Sequence, residues 1–355
     1  SIVTLSEQRG LATGIVSTAR ITHATPAAAY AHSADRNWEN DGLVPPGQES
    51  CTDIASQLTA YSEGNGLDIV LGGGKVHFLP AALGGQRKDN RNLVEEWSAA
   101  DPAHSTFVDT ATDLENAAAN LSAARGDKVF GLFSNSHMSY ETERSKGTTT
   151  EPSLTEMTLA ALRFLGASDK GYFLYVEAGR IDHAHHEGKA GRALVETIEL
   201  SNAVAATLKS ISLEDTLVLV TADHGHTMTI GGYPTRGNPI LGYVTENDTH
   251  GQPKPEAAIN TENRLYTTLS YANGPGFAAH QDPAVQEMDT SDPDYQQIAA
   301  YGLKWGESHS GADVVIYAAG PGADQFHGVI EQNRIFHLMQ KAMQLYDRGD
   351  PDSSR

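Results

Sequence analysis

A mostly parallel β-sheet with helices on both faces is the fold class this sequence predicts, and three observations predict it. Short β-rich runs alternate with helical patterns through about residue 220. The order strand–helix–strand repeats, which calls for parallel strands joined by helical crossovers. With 39% hydrophobic and 20% charged residues, 355 residues can build one large core with insertions.

The elements follow in order. Gly10 to Thr18 reads as a buried strand with a helix before it. Asp68-Ile69-Val70-Leu71 is a strand stopped by Gly72-Gly73-Gly74. That glycine run lacks the Lys-Ser/Thr ending of a phosphate loop, so it reads as a turn. Val129 to Phe133 is another short apolar run. Ser153-Leu154-Thr155-Glu156 follows Pro152 and has the capping-box pattern of a helix start. Leu154, Met157, Ala161, Leu162 and Leu165 then recur at helical spacing. Tyr172 to Val176 is a strand, Leu194 to Leu208 an amphipathic helix, and Leu217 to Val220 a strand. From Met228 to Gly306 Gly, Pro, Asn, Asp and Thr rise and periodicity fades, which reads as an insertion of loops and short strands. The sheet is expected to resume at Asp313 to Tyr317, followed by a last helix from Gln332 to Leu345 and a frayed tail from Asp347 to Arg355.

Charge and cysteine content narrow the function. The chain carries 45 acidic and 25 basic residues, a formal charge of -20, which repels nucleic acid and anionic membranes. Solubility or salt tolerance accounts for such acidity. A phosphate site on this chain needs local positive charge, from metal ions or a buried Arg. The single Cys51 excludes an internal disulfide and a Cys-based zinc site, so any metal falls to His, Asp and Glu. No apolar stretch approaches the length of a membrane span, and the start at Ser1 shows no signal-peptide pattern.

Histidines are concentrated in two places. One is Glu177-Ala178-Gly179-Arg180-Ile181-Asp182-His183-Ala184-His185-His186, the other Asp223-His224-Gly225-His226. Each directly follows a predicted strand, and in a parallel sheet the C-terminal strand ends are where ligands bind. Asp182 and His186 are four apart, so a helix starting near Asp182 puts both on one face, within reach of one metal. Asp223 and His224 sit where a turn can aim neighbours at one ion. Carboxylate with imidazole suits Zn²⁺, and the harder carboxylate of Glu177 suits Mg²⁺. Glu177 alone decides nothing; the neighbouring cluster speaks for it. His185 and His226 read as polar surface residues.

These segments closely resemble the alkaline phosphatase family, in its animal-type and marine bacterial branches. Val220-Thr221-Ala222-Asp223-His224 and the run from Val176 to His186 carry the likeness. Leu11 to Thr18, His23-Ala24-Thr25-Pro26-Ala27-Ala28, Gly231-Gly232-Tyr233, Tyr266-Thr267-Thr268, Asn273-Gly274-Pro275-Gly276 and His327-Gly328-Val329 extend it over nearly the whole chain. The resemblance implies two zinc ions and one magnesium. Asp182, His186 and His309, the last within Glu307-Ser308-His309-Ser310-Gly311, match ligands of the first zinc. Asp223 and His224 match ligands of the second, and Thr25 and Glu177 those of magnesium. Arg36 matches the arginine that clamps the substrate phosphate, while His23 and His183 fall at neighbouring positions that tune magnesium affinity and phosphate release. Met228 to Gly306 corresponds to a crown-like insertion that helps form a homodimer.

The resemblance also implies hydrolysis of phosphate monoesters through a phosphoserine, in a periplasmic or extracellular protein. The family's nucleophilic serine, and an aspartate shared by the second zinc and magnesium, belong N-terminal to Leu11. Ser1 and Ser6 stand in the wrong context, so the chain reads as an N-terminally truncated fragment with little turnover of its own. Three alternatives stand beside this: a diesterase or sulfatase-like relative, a non-catalytic zinc-binding protein, and a module that mainly binds partner subunits through the insertion.

Overall fold

The computed structural model describes residues 1–345, so the tail from Asp347 to Arg355 lies outside the described residues. The first half builds in order α1 (Ile2–Gln8), β1 (Ala12–Arg20), α2 (Ala24–Ala27), α3 (Ile54–Thr59), β2 (Ile69–Gly73), α4 (Leu93–Ala100), β3 (Ser105–Val108), α5 (Ala111–Asn120) and β4 (Lys128–Leu132). Then come α6 (Glu141–Arg144), α7 (Leu154–Leu165), β5 (Tyr172–Glu177), α8 (Arg180–His186), α9 (Ala190–Ser210) and β6 (Val218–Val220). The expected capping box is present: Ser153 accepts from the Glu156 backbone N–H while the Glu156 side chain accepts from that of Ser153. It closes the N-terminus of α7 with side-chain oxygens in place of water.

Five strands pair in parallel in the order β3-β4-β2-β1-β5. Alternation along β1 feeds two cores. Ile15 joins Val70, Phe130, Ile54 and Leu93 on one face, and Val16 joins Leu71, Val129, Met157 and Phe164 on the other. Helices therefore cover both faces, as the run lengths imply. Gly72 and Gly73 are read more accurately as strand than turn, since β2 runs through Gly73. The chain turns at Gly74, whose φ of 97° few side chains tolerate.

The remainder is loop-rich: β7 (Gly225–His226), β8 (Met228–Ile230), β9 (Leu269–Tyr271), α10 (Gly276–Ala279), β10 (His309–Ser310), β11 (Tyr317–Ala319) and α11 (Gln332–Ala342). Here the sequence expectation needs correction. Asp313–Ile316 form no strand; β11 starts at Tyr317 and pairs antiparallel with β6 in a two-stranded ladder, outside the five-stranded sheet. Apolar content alone marked the right neighbourhood, but register and partner are set by pairing.

The sheet has an unusual border. β1, in the interior, is buried along eight of its nine residues, whereas β5 at the edge is half-buried throughout and so is β6. The crossover β5–α9–β6 joins two strands that share no ladder.

Buried carboxyls give the fold a pH dependence. Glu7, on α1, is 2% exposed and accepts a hydrogen bond from the Thr13 hydroxyl. Asp68 is 4% exposed and accepts from the Thr13 backbone N–H. Burial pushes Glu7 up to about 7 and Asp68 up to about 6, and it pushes Glu196 on α9 up to about 7. A carboxyl whose pKa is higher folded than unfolded contributes stability at low pH that is lost as pH rises through the folded value. Unfolding free energy measured in urea should therefore fall between about pH 4.5 and pH 7.5. Glu7→Gln should recover roughly 1–2 kcal/mol of that fall. An unchanged slope in the variant would mean Glu7 ionises freely in the folded chain.

Candidate metal centre

The C-terminal ends of β1, β5 and β6 open on one crevice. Ser17 and Glu177 are register partners on β1 and β5, and the Ser17 hydroxyl donates to the Glu177 carboxylate. Thr25, at the start of α2, also hydrogen-bonds Glu177. Burial raises the Glu177 pKa against these hydrogen bonds, and the charges of Asp223 and Asp182 raise it further. A half-buried carboxyl crowded by two others, with hydroxyls beside it, is a donor set for a hard divalent cation. Ser17 was not singled out in the sequence.

α8 begins at Arg180, so Asp182 and His186 do share a face, with Asp182 Oδ1 3.4 Å from His186 Nε2. His309 arrives from 123 residues away because β10 pairs with β7, placing His309 opposite His226 and Ser310 opposite Gly225. Its Nε2 lies 3.1 Å from His186 Nε2 and 3.5 Å from Asp182 Oδ1. The His224 ring stacks on that of His309 at 3.6 Å. His224 Nε2 is 3.4 Å from Asp223 Oδ2 and 3.9 Å from Asp182 Oδ1.

The tautomers say what these side chains are for. His186 Nδ1 lies 2.6 Å from the Glu307 carbonyl, and His224 Nδ1 lies 3.2 Å from the Gly225 carbonyl. A carbonyl only accepts, so each Nδ1 carries a proton and Nε2 is the ring atom left to face the crevice. These Nε2 atoms lie beside one another and beside carboxylate oxygens. A cation could sit among them. Imidazole with carboxylate at this spacing, oriented by carbonyls behind, fits Zn²⁺.

His226 is a correction to the sequence reading. It is no surface residue: Nε2 lies 2.9 Å from Asp182 Oδ1 and Nδ1 lies 2.6 Å from Glu307 Oε2. Both nitrogens face carboxylates, so both carry protons. Burial opposes the charge, but the bonds to Asp182 and Glu307 prevail and raise the pKa to about 9. His226 is therefore a cationic brace for Asp182, and Glu307, fully buried, anchors it. His185 is half-buried, stacked on His226 at 4.7 Å and 2.9 Å from the Tyr271 hydroxyl through Nδ1. It is neither ligand nor free surface. Glu307 lies two residues before His309, and that adjacency to a residue matched to the first zinc was the cue in the sequence.

A second group stands beside the first. Rings of His23, His137 and His183 lie 4.1 to 5.4 Å apart, centre to centre. An arginine donates to each: Arg36 Nη2 to His23 Nε2 at 3.1 Å, Arg180 Nη1 to His183 Nδ1 at 3.0 Å, and Arg20 Nη1 to His137 Nε2. Burial, with the guanidinium charges nearby, lowers His23 to about 4 and His183 to about 3. Three neutral rings among three arginines favour an anion over another cation. The sequence missed His137, although it follows the C-terminal end of β4, the same topological place as the other clusters.

Comparison with known proteins gives the family and the fold. The sequence profile of the alkaline phosphatase family matches residues 1–345. The tissue-nonspecific alkaline phosphatase of Felis catus is 39% identical over 359 residues, and that of Gallus gallus 40% over 358. Each alignment takes in 96% of this chain but only 65% of the relative, so the chain spans less than two thirds of those proteins. Among solved structures, the alkaline phosphatase of the Antarctic bacterium TAB5 superposes with a TM-score of 0.62 at 23% identity, covering 98% of this chain and 76% of that one. The Thermus thermophilus enzyme gives 0.64 at 23% identity, covering 97% and 73%. At that identity the likeness fixes the fold.

If His226 braces Asp182, His226→Ala should weaken zinc binding about 10- to 100-fold while the protein stays folded. Competition with a chromophoric chelator measures this. An unchanged affinity would show that Asp182 is oriented without it.

Proposed function

The chain belongs to the alkaline phosphatase family, and on that premise we propose that it supplies most of the hydrolytic centre of a metal-dependent phosphomonoesterase. The observation that carries this is the meeting of Asp182, His186, Asp223, His224 and His309, whose imidazole Nε2 atoms and carboxylate oxygens lie 3.1 to 3.9 Å apart. The assignment is two zinc ions, one on Asp182, His186 and His309 and one on Asp223 and His224, and a magnesium ion on Thr25 and Glu177, with Ser17 adjoining. Bound there, the ions supply Lewis-acid stabilisation of the oxygens that attack and leave phosphorus.

The chain's own residues do the rest. Arg36 is exposed at the crevice, and its fork can take two phosphate oxygens while His23 accepts from one Nη and fixes its orientation. Arg180, which donates to the neutral His183 ring one residue from Asp182, extends the positive lining that a chain of charge -20 needs to admit an anion. His226 and Glu307 hold Asp182 in place.

The nucleophilic serine is assigned to polypeptide outside these 355 residues, on a strand lying between β5 and β6. The half-buried edges of those two strands, and a crossover whose strands share no ladder, support a missing neighbour there. The insertion from Met228 to Gly306 keeps its assignment as a crown-like, dimer-forming unit. That assignment, and a periplasmic or extracellular location, rest on family membership. Among the described residues no helix is long and apolar enough to cross a membrane.

Zinc content and phosphomonoesterase rate, measured on this chain alone and with a family-like N-terminal segment supplied, test the proposal. Zinc uptake with turnover only in the presence of the segment is expected. Zinc uptake with no turnover in either case would make the centre a binding site. In the active complex Arg36→Ala should lower kcat/KM for a monoester about 100-fold and leave zinc content unchanged. A smaller effect on monoesters than on diesters would point to the diesterase alternative.

A further inference from the structure

Segment 301–306 brings an indole to the metal centre. The Trp305 ring stands edge-on to His186, 5.8 Å between ring centres, and 65% of the residue is exposed. The approach depends on Gly306: its φ is 127°, and a side chain there would come within 2.9 Å of the His186 carbonyl. The Glu307 backbone N–H donates to that same carbonyl at 3.0 Å, pinning the segment to α8. Single exposed apolar residues are ordinary on a protein surface. What distinguishes Trp305 is its place, beside one ligand of the site assigned to the first zinc and unburied although the protein could cover it.

Two more exposed aromatics border the same segment. The Tyr301 carbonyl accepts from the Gly274 backbone N–H, and Gly302 packs against the Phe277 ring. Phe277 is 41% exposed and Tyr301 54%.

We propose that Trp305 is a subsite for the organic part of the ester and that the subsite takes flat aromatic groups. The proposal rests on the phosphomonoesterase reading. There the leaving oxygen would lie at Asp182, His186 and His309, and the exposed indole at the edge of the His186 ring is within reach of the group that oxygen carries. An aryl group on that oxygen can stack on the indole or meet it edge-to-face, whereas a small alkyl group offers no such contact. Aryl phosphates are thus held by ring and phosphate together, alkyl phosphates by phosphate alone.

The test uses phosphonates, whose carbon–phosphorus bond is not hydrolysed, so leaving-group ability does not enter. Binding of phenylphosphonate, methylphosphonate and inorganic phosphate to the zinc-loaded chain is measured by calorimetry for the parent, Trp305→Ala and Trp305→Phe. Trp305→Ala should weaken phenylphosphonate about fivefold, with Trp305→Phe restoring most of it and the other two ligands unaffected. Equal weakening of all three ligands, or no change for phenylphosphonate, overturns the subsite and leaves the phosphatase reading intact. If none of the three binds the parent protein, the phosphatase reading fails and the subsite falls with it.

Discussion

The carboxylate of Asp182 is the point on which the two halves of this molecule converge. One Oδ1 lies within 4 Å of His186, His224, His226 and His309. Only His186 is near it in sequence. Four imidazoles around one carboxylate oxygen is a costly arrangement unless each nitrogen has a settled role. His226 settles by carrying both protons and pairing with Asp182 and Glu307. His186 and His224 settle by giving their Nδ1 protons to backbone carbonyls. Their Nε2 atoms are left facing carboxylate oxygens, where a cation would sit. A neutral carboxyl at Asp182 would leave His226 without half of its bracing and the other rings without a focus.

The fold serves that convergence. Parallel strands bring their C-terminal ends to one side, so β1 and β5 deliver Ser17 and Glu177 to the crevice, and the loops after β5 and β6 deliver Asp182 and Asp223. The two-residue ladder between β7 and β10 then swings His309 in from the loop-rich half. One buried carboxylate holds the group beside it: Glu39 grips the Arg20 guanidinium through both oxygens, at 2.7 and 2.8 Å, and Arg20 donates to His137. The guanidinium groups of Arg20, Arg36 and Arg180 thereby gather at the three histidines, although the chain as a whole carries a formal charge of -20. Attraction for an anion is short-ranged here, felt inside a screening length and opposed beyond it.

How much of this was legible in the sequence follows from range. The Asp182–His186 spacing is a property of one helix turn, and the strand-end position of Asp223 and His224 is a property of one strand, so periodicity reveals both. The Ser153 capping box is equally local. His309 and Arg36 carry no local signal and emerged only through family likeness. His226 was misjudged because its partners, Asp182 and Glu307, lie 44 and 81 residues away. The strand at Tyr317–Ala319 was misplaced for the same reason: Asp313 to Tyr317 has the apolar composition of a strand, but β6 chooses the register, and Val315 and Tyr317 stay 58% and 64% exposed.

That exposure connects the site to the border of the sheet. An interior strand of a parallel sheet is buried on both faces and both edges, as β1 is. Strands β5 and β6 carry comparably apolar sequences, Tyr172-Phe173-Leu174-Tyr175-Val176 and Val218-Leu219-Val220, yet remain half-buried. α11 places Ile335, Phe336, Leu338 and Met339 at helical spacing and buries none of its residues. Sequences of this kind are suited to a sheet that continues between β5 and β6. Glu177 and Asp223, to which metal binding is assigned above, stand at or just beyond the C-terminal ends of these same two segments. A strand inserted there would run its own C-terminal end into the middle of the crevice, between the site assigned to magnesium and the site assigned to the second zinc. A serine or carboxylate at that end would face both, as Ser17 on β1 already faces Glu177. On the proposed assignment, an element that paired with β5 and β6 would therefore also add its side chains to the crevice.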